Sequence, residues 1–67
     1  MDVVIELPDL LSKLKVISYA HYQVEQVKEK LFITLITGQT AIRYQIIDPV
    51  SQDKQAEVTY LLNQYRS

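Results

Sequence analysis

The chain has 67 residues, 48% of them hydrophobic and 22% charged, the proportions of a folded globular segment rather than a disordered one. Seven basic and eight acidic side chains, interspersed, leave a formal net charge of -1 and no positive field to hold a phosphate backbone, which argues against nucleic acid as a partner. With no cysteine, neither a disulfide framework nor a thiolate zinc site can staple so short a chain, and self-association is the expected extra source of stability.

The opening MDVVIELPD carries acids where an export signal carries bases, and every apolar run falls far short of the roughly 20 residues that cross a bilayer as a helix. A cytoplasmic location, without a membrane partner, is the expectation.

Val3-Val4-Ile5-Glu6-Leu7 is rich in β-branched residues and alternates Val3, Ile5 and Leu7 against Val4 and Glu6, which predicts a first strand. Pro8 and Asp9 follow, suited to a first helical turn and to the positive end of a helix dipole. Leu10, Leu14, Ile17, Ala20, Val24, Val27 and Leu31 then recur at spacings of three and four, which predicts one helix over roughly 9–30. The same stretch supports a second reading, in which the helix ends near Lys15, residues 16–27 form a strand and the chain turns at Lys28-Glu29-Lys30. Its density of β-branched and aromatic residues favours that reading, while its imperfect alternation, with Val16 and Val24 on one face with Ser18 and Gln26, speaks against it.

LFITLIT and TAIRYQII are two apolar runs joined by Gly38-Gln39, the pattern of a β-hairpin whose glycine takes positive φ at little cost. Ile42, Tyr44 and Ile46 share one face of the second run; Leu31, Ile33 and Leu35 share one face of the first, with Phe32 and Ile36 opposite. Asp48-Pro49 closes the sheet, and Asp48 or Ser51 is placed to cap a final helix in which Val58, Leu61, Leu62 and Tyr65 follow helical spacing.

Together these elements predict an α+β fold over residues 1–67 as a single domain. It is a small two-layer β-α-β-β-α unit with a three-stranded mixed sheet, strands one and two parallel, and both helices on one face. The alternative is an α-β-β-β-α meander with residues 16–27 as a strand. In the first arrangement the open sheet face carries Val4, Phe32, Ile36, Ala41 and Ile47, an apolar set that a solvated monomer rarely leaves exposed, so homodimerisation or a partner is expected through this face or through an edge strand. Thr34, Thr37, Thr40, Arg43 and Gln45 interrupt that patch.

Chemistry-bearing residues are sparse. His21 is the only histidine, and the pair His21 and Glu25, sharing a helix face at a spacing of four, supplies too few ligands for zinc. The carboxylates are scattered where caps and turns expect them, and one glycine cannot build a phosphate-cradling loop. No catalytic residue, cofactor or metal is therefore expected, and the chain reads as a non-enzyme. On a continuous helix Tyr19 and Tyr22 lie off the apolar stripe, as exposed aromatic anchors of an interface would. The candidate contact residues are therefore Tyr19, Tyr22, Phe32, Ile36 and Ile47, and the expected partner is a second copy or a larger protein.

VVIELPDLLSKLK resembles the opening of ribbon–helix–helix antitoxins and repressors, which implies a dimeric DNA-binding regulator as the alternative function. The likeness covers 13 residues and ends at the hairpin LFITLITGQTAIRYQII, where that family has a second helix; its strand also lacks the basic and amide side chains that read bases, so no family is assigned. The leading expectation is a small protein-interaction module, a regulator, inhibitor or adaptor, acting through an apolar and tyrosine-bearing surface.

Overall fold

The computed structural model describes residues 2–67. Its elements run β1 (Asp2–Ile5), α1 (Leu7–Leu14), β2 (His21–Val27), β3 (Lys30–Thr37), β4 (Thr40–Ile46) and α2 (Gln52–Tyr65). They form an α+β domain with a mixed sheet of four strands in the order β1-β4-β3-β2, one strand more than the three expected.

The extra strand is β2, and it replaces the second half of the expected long helix. Helix α1 stops at Leu14, once Leu7, Leu10 and Leu14 are buried, and residues 16–27 follow the alternative reading from His21 onward. The apolar spacing beyond Leu14 mimics a helix because a strand that buries alternate residues also hits several positions three or four apart. A meander β2-β3-β4 results, through turns at Lys28-Glu29 and Gly38-Gln39. Both turns place positive φ at their first residue, 57° at Lys28 and at Gly38.

The expected parallel pairing of β1 with the next strand is also corrected. Strand β1 runs parallel to β4, Val3 beside Tyr44 and Ile5 beside Ile46, with the whole meander intervening in sequence. Main-chain bonding continues past the strand ends, where the Ile47 N–H donates to Ile5 O at 3.0 Å.

The core gathers between the sheet and the two helices. Leu31, Ile33, Leu35, Tyr44 and Ile46 face Leu10 and Leu14 of α1 and Val58 and Leu62 of α2, all buried. Helix α2 is capped by Ser51, whose hydroxyl accepts from the Lys54 N–H at 3.2 Å. Its two ends are tied to the two ends of β2: the Val50 N–H donates to Glu29 O at 2.8 Å, and the Ser67 N–H to Tyr19 O at 2.9 Å. No helix among the described residues is long and apolar enough to cross a membrane.

Candidate functional site

Tyr19 is not an exposed anchor. It lies just before β2, 1% exposed, and its hydroxyl donates at 2.6 Å to Leu62 O in the last turn of α2. Burial in this pocket, with Tyr22 adding to the effect and Arg66 opposing it, holds the phenol pKa above its usual value of 10.0. Tyr22 is half-buried on the inner face, its ring edge-on to Tyr19 with centroids 6.5 Å apart. The tyrosine pair therefore fastens β2 to α2, and the helix assumption behind the expected surface fails with the helix.

Strand pairing defines the open face of the sheet. Asp2 and Val4 of β1, Ala41, Arg43 and Gln45 of β4, Phe32, Thr34 and Ile36 of β3, and His21, Gln23 and Glu25 of β2 alternate against the buried set. Phe32 does not stand free there. The Arg43 guanidinium lies over its ring at 4.5 Å, donates to a Glu25 carboxylate oxygen at 3.2 Å and has Asp2 at 3.9 Å. An ionic line thus crosses the face from edge to edge over the aromatic ring, bordering a shallow depression of about 140 Å³ lined by Gln23, Glu25, Phe32, Thr34 and Arg43. Ile36 is half-buried, and of the expected apolar set Val4 at 60% and Ile47 at 57% are the large side chains left well exposed.

His21 and Glu25, now on a strand, stand about 13 Å apart at 3.3 Å per residue and cannot share an ion. Among the described residues no three His, Asp or Glu side chains converge.

An edge strand is the other contact surface the sequence allows, and the structure makes the long free edge β2, a strand absent from the leading sequence reading. Strand order leaves β2 with β3 on one side and no strand on the other among the described residues. A two-residue hairpin closes on a hydrogen-bonded pair, here Val27 and Lys30, so His21, Gln23, Glu25 and Val27 direct their main-chain groups toward β3. Tyr22, Val24 and Gln26 direct theirs outward. On the inner face Tyr22 and Val24 are only half-buried against the core. Gln26, polar yet inward-pointing, is satisfied by donating its amide to Val50 O at 2.7 Å and to Lys28 O at 3.2 Å. No lysine, proline or inward charge blunts this edge, the devices that usually keep an exposed strand from pairing. The opposite edge, β1, has four residues against seven and passes through Glu6 directly into α1.

Comparison with known protein families, with characterised proteins and with solved structures finds no match to this chain.

Proposed function

We propose that this protein is a non-catalytic interaction module that engages another polypeptide by adding a strand to the β2 edge. The observation that carries the reading is an unblunted seven-residue edge strand whose inner-face residues Tyr22 and Val24 are incompletely covered. Strand addition supplies main-chain hydrogen bonds for affinity and alternate side-chain pockets for specificity, and needs no catalytic group. The open face is the weaker docking surface, because its one aromatic ring already lies beneath Arg43.

The test is affinity capture with the tagged protein, comparing wild type with Val24→Lys at the edge and Ile47→Lys on the face, each checked by circular dichroism for an intact fold. Loss of the bound polypeptide with Val24→Lys alone supports the edge. Loss with Ile47→Lys alone moves the contact to the open face, and recovery of no polypeptide at all, a second copy included, sinks the module reading.

A further inference from the structure

We infer that the strand added to β2 is β2 of a second copy, antiparallel about a two-fold axis through Val24, giving one continuous eight-stranded sheet with all helices on the same side. The inference rests on the edge reading above and specifies its partner and register.

A two-fold axis perpendicular to the sheet keeps inner faces with inner faces, so each register pairs residues of one parity. With Val24 at the axis, Val24 meets its own mate and Tyr22 meets Gln26 on the inner face; Gln23 meets Glu25 and His21 meets Val27 on the outer. All seven residues of the strand are used. The outward main-chain groups of Tyr22, Val24 and Gln26, which have no partner among the described residues, then form about six intermolecular hydrogen bonds.

Side-chain chemistry singles out this register. Glu25 takes the Arg43 guanidinium on one carboxylate oxygen, Oε1, and its other oxygen faces the Gln23 amide of the mate, a neutral donor beside an acid. Moving the axis to Glu25 sets two carboxylates directly opposite each other. Moving it to Gln23 sets Gln26 and Val27 against the bend at residues 19–20, where Tyr19 O is already bonded to Ser67. The Val24 register opposes no like charges, and Tyr22 and Val24, half-buried in one copy, each gain a covering neighbour.

Position 23 gives a two-way test because it is exposed and its substitutions leave the core untouched. Light scattering and sedimentation over about 5–500 µM are expected to show a dimer for the wild type. Gln23→Glu, which places carboxylates against Glu25 at both symmetric contacts, should weaken it by roughly 2- to 30-fold, and Gln23→Lys should tighten it. Shifts of the same sign for both charges, or none, overturn the register.

The chain has no cysteine, so Val24→Cys reports on the axis alone. Its mate lies about 5.5 Å away between Cα atoms, within disulfide range, and oxidation should yield a covalent dimer where Ile47→Cys does not. The reverse result places the dimer on the open face and overturns the inference. A wild type that stays monomeric at the highest concentration overturns self-pairing; if capture still shows a Val24→Lys-sensitive foreign polypeptide, the module reading stands without it.

Discussion

Replacing Tyr19 separates a residue that holds the fold from one that waits for a partner. Its hydroxyl reaches Leu62 O at 2.6 Å, and its ring is 1% exposed among core residues. Tyr19→Phe keeps the ring and removes the hydrogen bond, which should cost about 1–2 kcal/mol, the net worth of such a bond plus part of the desolvation of a last-turn carbonyl. Tyr19→Ala removes the ring as well and should cost about 3–5 kcal/mol, in line with other buried aromatic truncations. A domain of this size has roughly 3–10 kcal/mol in hand, so the alanine variant should be largely unfolded at room temperature or close to it. At about 4–8 °C per kcal/mol, the phenylalanine variant should melt roughly 4–16 °C below wild type.

The assay is thermal and urea unfolding followed by far-ultraviolet circular dichroism. A phenol whose folded pKa lies above the unfolded value of 10.0 is neutral in the fold while the unfolded chain ionises, so the unfolded state binds fewer protons there. Stability is fully present below pH 10 and is lost as pH rises through the raised folded value. Tyr19→Phe should flatten that alkaline loss. Had Tyr19 been the exposed anchor that helical spacing suggests, both variants would melt like the wild type; that result, or an unchanged alkaline slope, would refute the reasoning.

The two turns should respond oppositely to exchange. At Gly38 nothing lies within 4 Å of an added Cβ, so Gly38→Ala should lose about 1 kcal/mol from backbone strain alone. At Lys28, already at φ 57°, Lys28→Gly should leave stability unchanged or raise it by up to about 1 kcal/mol in denaturant melts, and a loss larger than that of Gly38→Ala would contradict the turn assignment. Ser51→Ala should cost about 1 kcal/mol by removing the cap on α2, while Ser51→Asp should hold near wild type; equal losses would discount the cap. Arg43→Ala breaks solvated ion pairs and a cation–π contact, so its melting cost should stay below about 1.5 kcal/mol, with greater binding of a hydrophobic dye as Phe32 is uncovered.

The elements that announced themselves carry local signals. The hairpin around Gly38 has a glycine where positive φ is needed and two apolar runs of strand length, and α2 has a serine cap ahead of Val58 and Leu62. Strand β2 lacks such marks. Its turn uses Lys28 rather than glycine at φ 57°, and the polar Gln26 points inward because Val50 O and Lys28 O happen to receive its amide. Those acceptors come from the turn itself and from the approach to α2, and nothing within 16–27 foretells them. Val16 and Ser18, which precede the strand, blur the alternation further. The pairing of β1 with β4 is a choice among edges made by the whole core. Of the surface residues the sequence points to, Ile47 is well exposed, Phe32 and Ile36 are half-buried, and the tyrosines belong to the packing.

The placement of the interaction edge follows from how two short helices are shared across four strands. With eight and fourteen residues, α1 and α2 cover one face of the sheet, and the other must survive in water. It does so by polar cross-strand neighbours and by laying Arg43 over Phe32, which shields part of the aromatic ring from solvent and spends the face's best anchor within the chain. What stays unsatisfied lies at the margin of the inner face, where α2 runs beside β2 and leaves Tyr22 and Val24 half-covered next to outward main-chain groups. A third helix would relieve that margin from below but would leave the main-chain groups unpaired. A strand relieves both at once, and so the demand for a partner falls on the β2 edge rather than on the sheet face that composition alone would have indicated.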